Sequence, residues 1–96
     1  QKLISLEIEI INAASTELLL SINDKSADFL SVNGFNYKPT NPDELNIKID
    51  RSLWGNFKLS KNQMIKGNLI FKVNDSFIPK TFEWNESDRV VIKFNQ

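Results

Sequence analysis

A two-residue hydrophobic period runs through this chain and constrains its backbone more than any other feature. In "LISLEIEIIN" the side chains of Ile4, Leu6, Ile8 and Ile10 share one face, and Ser5, Glu7 and Glu9 share the other. Successive side chains of a strand point to opposite faces, so this alternation predicts a strand with one buried side. "TELLLSIN" repeats it with Leu18, Leu20 and Ile22, and "ELNIKID" with Leu45, Ile47 and Ile49. "MIKGNLIFKVN" places Ile65, Gly67, Leu69, Phe71 and Val73 on one face. Towards the end, "FIPKTFEW" offers Ile78, Phe82 and Trp84, and "DRVVIKFN" offers Val90, Ile92 and Phe94. About seven strands are expected.

The segments between them carry turn chemistry: Asn23-Asp24, Asn33-Gly34, Lys38-Pro39-Thr40-Asn41-Pro42, Asn74-Asp75 and Asn85-Glu86-Ser87. Asn and Gly supply the positive φ of tight turns, and Pro presets φ at a first corner. Only "SKNQMIK" has room for a short helical turn. Short strands at this spacing in a 96-residue chain predict one all-β domain over residues 1–96, an antiparallel sandwich or small barrel. Gly67 occupies an inward strand position, where glycine normally weakens the strand. A bulky neighbour packed over it, Trp54 or Trp84, is the expected reason.

The residue inventory narrows the chemistry. The chain has neither His nor Cys, which removes disulfides, thiolate and imidazole metal ligands, and the usual nucleophile–base pairs. Asp43 and Glu44 are adjacent and point apart on a strand. The other carboxylates lie near turns, so glycosidase-type acid–base work is not expected and the chain reads as a non-enzyme. "NDKSAD" spaces Asp24, Ser26 and Asp28 like the start of a calcium loop, but Phe29 and Phe35 stand where Gly and Glu belong. No glycine-rich phosphate cradle exists, and no cofactor is expected. The sequons at Asn74 and Asn85 are read as chance in an Asn-rich chain.

Formal net charge is zero, yet residues 1–44 carry −4 and residues 45–74 carry +5. Solvated outward lysines are the expected reading of that basic stretch. Phe57, Phe71 and Tyr37 interleave with Lys58, Lys61, Lys66 and Lys72, the pattern an oligonucleotide-binding barrel would use. Phe71, however, has the parity of the core, so nucleic acid is not the expected partner. The chain opens on Gln1 without a signal peptide or spanning helix. It is therefore expected to be a processed or trimmed chain whose targeting segment has been removed.

Three segments carry a resemblance: "LEIEIINAAS"; Asp28-Phe29, Gly34, Tyr37 and Pro39 in "ADFLSVNGFNYKP"; and Leu59, Ile65, Gly67, Leu69, Phe71 and Val73 in "LSKNQMIKGNLIFKV". Together they resemble a bacterial family of secreted and lipoprotein-borne immunoglobulin-like domains, related to a mycobacterial immunoprotective secreted antigen and sometimes labelled telomeric repeat-binding factor-like. The family's Pro-Gly-Glu turn is replaced by Lys61-Asn62-Gln63, and Asn62 suits the left-handed corner. The resemblance implies an immunoglobulin-like antiparallel β-sandwich, located in the cell envelope or secreted. It implies no catalytic signature.

The expected core is Ile4, Leu6, Ile8, Leu20, Ile47, Leu69, Phe71, Val90 and Ile92. The expected function is a non-catalytic extracytoplasmic binding or adaptor domain with a protein partner, touching a membrane only through a tether outside this chain. A phage or surface-layer assembly domain and a single-stranded nucleic-acid binder are the alternatives. Candidate binding residues are Phe35, Tyr37, Trp54, Lys58, Lys61 and Lys66, with core packing or plain solvation as the competing reading for each.

Overall fold

The computed structural model describes residues 1–46 and 48–94. Eight strands are present among them: β1 (Lys2–Asn12), β2 (Leu18–Ile22), β3 (Ala27–Ser31), β4 (Asn36–Tyr37), β5 (Gly55–Leu59), β6 (Met64–Val73), β7 (Pro79–Trp84) and β8 (Val90–Phe94). They form three antiparallel sheets, ordered β6-β1-β8, β2-β5 and β4-β3-β7. The chain is an all-β sandwich. Phe29 of β3 meets Phe71 of β6 edge to face at 5.1 Å, which joins the two larger sheets through their inner faces. Leu20, Ile22 and Leu59 of the two-stranded sheet belong to the same core.

The alternation holds where the ladders are long. Along β1 the inward residues Ile8 and Ile10 are fully buried, and in β2 Leu18, Leu20 and Ile22 are buried while Leu19 and Ser21 face water. Of the expected core, Ile8, Leu20, Leu69 and Phe71 lie at its centre, and Ile4, Leu6, Val90 and Ile92 are half-buried at its margin. Ile47 lies outside the described residues.

Three expectations are corrected. The segment "ELNIKID" contains no strand among its described residues. Instead, a 3-10 turn spans Pro42–Glu44, capped by Asn41, whose Oδ1 accepts from the Asp43 amide at 3.0 Å. Proline at the first helical position presets the turn and draws the backbone out of extension. The second correction concerns Ile78, which is 58% exposed while Phe77 is buried in the core. The β3–β7 register shifts between Leu30 and Ser31, pairing Ser31 with Pro79 and leaving Lys80 extra. Such a bulge inverts the side-chain parity beyond it, so Phe77 takes the inward place. "SKNQMIK" forms a turn at Lys61–Asn62, after which β6 begins at Met64. Asn62 holds φ +66°, the left-handed corner expected of it.

Gly67 is also explained differently from the expectation. Neither tryptophan covers it. The backbone of residues 51–53 crosses it, bridged in parallel to β6 at Ser52 and Asn68. Asn68 N donates to Arg51 O at 2.8 Å, and Leu53 N donates to Asn68 O at 3.0 Å. A Cβ at position 67 would collide with the Arg51 carbonyl and lie 2.8 Å from Leu53 Cγ.

Asn12 fastens two corners of the sandwich, the β1–β2 and β5–β6 turns. Fully buried, its Nδ2 donates to Thr16 O (2.9 Å), Leu59 O (3.1 Å) and Ser60 O (3.2 Å), and its Oδ1 accepts from Ala14 N (2.8 Å). Its backbone N donates to Gln63 O and its carbonyl accepts from Asn62 N. A buried amide survives only with its groups paired, and here the pairing defines the path of both turns.

Candidate functional site

The long connection from β4 to β5 lines two adjoining depressions on the surface. Leaving β4, the chain passes beside β6, where Thr40 N donates to Ile70 O at 2.7 Å and Lys72 N donates to Thr40 Oγ1 at 3.3 Å. Asn41 then caps the 3-10 turn. The chain returns along β6 through Arg51, whose φ is +46°, and the Ser52 bridge. Adjacent residues of an extended segment point oppositely. Leu53 is 2% exposed in the core, and Trp54 after it is half-buried, turned towards the connection. Trp54 N donates to Ser52 Oγ at 3.2 Å.

Trp54 and Asn41 line two adjoining clefts of about 360 and 420 Å³. The smaller adds Asp43, Lys48 and Ser52. The larger adds Asp24, Thr40, Glu44 and Lys72. Lys38, also on the larger cleft, ion-pairs with Asp28 at 2.7 Å.

Asp28, on the outward face of β3, is a separate polar knot. The hydrogen bond from Lys38, then those from Asn85 (2.7 Å) and Asn36 (2.9 Å), hold its carboxyl at about 2, below the ordinary 3.8. Its two oxygens are occupied by these three donors, which ties β3 to residues beside β4 and after β7.

The six residues singled out in the sequence are placed as follows. Phe35 is 57% exposed at the β3–β4 turn, where Val32 and Ile78 are also exposed and joined by a Val32 N to Ile78 O bond. Tyr37 is half-buried against Phe77, with its hydroxyl accepting from Asn74 N at 3.3 Å. Lys58 on β5 faces Glu17 (3.6 Å), Lys66 on β6 faces Glu7 (3.7 Å), and Lys61 is exposed in the turn between those strands. Trp54 is the one of the six that lines the two clefts. Phe71 is fully buried in the core.

Sequence reasoning missed Asn41, Thr40, Asp24, Glu44 and Lys72 as cleft residues. The available signal was a tryptophan closing a long connection rich in Pro and Asn. Connections of that length without regular structure are where binding surfaces concentrate.

Among the described residues no helix is long and apolar enough to cross a membrane. Comparison with protein-family models, with curated proteins and with solved structures finds no match to this chain.

Proposed function

We propose that this chain is a non-catalytic, extracytoplasmic binding or adaptor domain of a bacterial envelope or secreted protein, of the immunoglobulin-like kind its three segments resemble. The observation that carries the reading is Trp54, a large amphipathic ring held half-buried in the shared wall of two adjoining clefts. A preformed concave site with one aromatic and a few convergent polar groups is the ordinary form of a recognition surface. The absence of His and Cys from the sequence is consistent with recognition rather than covalent chemistry. The test is protease shaving of intact cells that produce the chain, followed by fractionation. Loss of the domain from the membrane or secreted fraction is expected. A domain that resists the protease and stays with the cytoplasm removes the location.

A second reading, assembly with further copies, is favoured by β8. Among the described residues this strand pairs with β1 on one side only, and its Val91 and Phe94 are exposed. An open strand edge is a template for strand addition. Light scattering across a concentration series decides it: a mass that stays at one copy removes self-assembly.

A further inference from the structure

We infer that the paired clefts that share Trp54 bind a neutral saccharide, an inference that rests on the binding-domain reading and names its ligand. Three observations point to it. The first is the ring itself. An indole face carries a negative quadrupole and a large apolar area, which suits the C–H face of a pyranose. A sugar lying on Trp54 keeps its hydroxyls at the rim.

The second is the rim chemistry. Each sugar hydroxyl both donates and accepts, so it is best met by a rim that brings donors and acceptors together. Asn41 is common to both clefts and is held in place by its bond to the Asp43 amide. Thr40, Asp24 and Glu44 stand on the larger side.

The third is charge. Asp24, Asp43 and Glu44 line the two clefts with Lys48 and Lys72, while Lys38 on the larger cleft is paired with Asp28. A rim of mixed sign with no excess of free cations does not concentrate polyanions, so it favours an uncharged polar ligand over a phosphate, a uronate chain or a nucleic acid. The exposed apolar side chains Val32, Phe35 and Ile78 gather at the β3–β4 turn and line neither cleft. Two clefts that share Trp54 and Asn41 suit a short oligosaccharide spanning both.

The experiment titrates the chain with neutral oligosaccharides (gluco-, manno-, galacto- and N-acetylglucosamine series) and with heparin and oligouronates. Calorimetry and tryptophan fluorescence are the readouts. At least one neutral series is expected to bind, with an affinity unchanged from low to high salt. Trp54→Ala should weaken it about tenfold. Asp24→Ala and Glu44→Ala alter exposed side chains and should each weaken it several-fold with the thermal melt unchanged, which separates binding from folding. Binding confined to the anionic polymers, or binding indifferent to both Trp54→Ala and Glu44→Ala, overturns the proposal. Capture of a surface protein through Trp54 without any saccharide binding also overturns it and leaves the binding-domain reading standing. Failure of every neutral series, together with no Trp54-dependent capture from cell surfaces, removes both.

Discussion

A methyl group added at Gly67 meets atoms that differ in their freedom to move. Leu53 Cγ and Cδ2, at 2.8 and 2.9 Å from the new carbon, belong to a side chain that can rotate. The Arg51 carbonyl is fixed, because it accepts the Asn68 amide. Gly67→Ala should therefore cost about 1–3 kcal/mol, the usual range for overpacking, read as a lower urea midpoint with an unchanged slope. Adding Leu53→Ala should not restore the loss, because the backbone contact remains. Asn12 presents the opposite case, a side chain whose removal leaves several partners stranded. In Asn12→Ala three carbonyls and the Ala14 amide lose their partner at once. The expected cost is about 2–3 kcal/mol, measured in the same titration. Its sequence neighbourhood marked Asn12 only as the end of a strand. Its hydrogen bonds run to Leu59 and Ser60, 47 and 48 residues away, a separation that no local pattern encodes.

Among the strands, those with long two-residue alternation were legible because one face of each is buried along its length. β2 follows the pattern residue by residue, and β1 and β6 follow it closely, with Ile70 on the outward face of β6 buried as well. The turn before β6 was legible as well, through Asn62. Its φ of +66° predicts that Asn62→Gly leaves stability within a few tenths of a kcal/mol. Asn62→Val should cost about 1–2 kcal/mol, the penalty for a Cβ-branched residue in that region; thermal melts of the two variants check it. The connection from Lys38 to Trp54 was misread for a physical reason. Leu45 and Ile49 alternate like strand residues, but Asn41 and Pro42 start a 3-10 turn, and both apolar side chains are half-buried outside any strand. β7 failed at one residue, Lys80, where a bulge reverses the parity of everything before it. Trp54 was picked out from the sequence as a binding candidate, whereas its cleft partners come from Asp24, the β4–β5 connection and β6, which only the fold brings together.

Across the whole chain, the uneven distribution of charge is resolved by folding. The acidic first part and the basic stretch that follows face each other through Glu7 with Arg51 and Lys66, and Glu17 with Lys58. These are solvent-exposed pairs and add little to stability. Asp28 differs, because three donors from separate parts of the chain converge on a carboxylate that is 23% exposed. Its value in the fold, about 2, lies below the ordinary 3.8, so folding favours the ionised form. The stabilisation is complete above the ordinary value and is lost as pH falls through about 2. Urea midpoints taken down this range should fall more steeply in the parent than in Asp28→Asn, and the gap between them should narrow towards the acid end. Parallel curves would show that the convergence of Lys38, Asn36 and Asn85 does not stabilise the ionised carboxylate.

The backbone that crosses Gly67 also occupies one side of β6. With Thr40 and Ser52 bonded along that side, β6 is covered from Asn68 to Lys72, and β8 is the strand of the β6-β1-β8 sheet left with an uncovered outer edge along its described residues. Growth of that sheet can then proceed in one direction. Two copies meeting through β8 would each present a closed flank to the outside, so the joined sheet has no site for a third copy. Such a contact ends as a symmetric pair rather than a fibre. The cost of keeping a glycine in a strand is thus linked to a limit on polymerisation. A larger residue there would displace the crossing segment and expose the flank it seals.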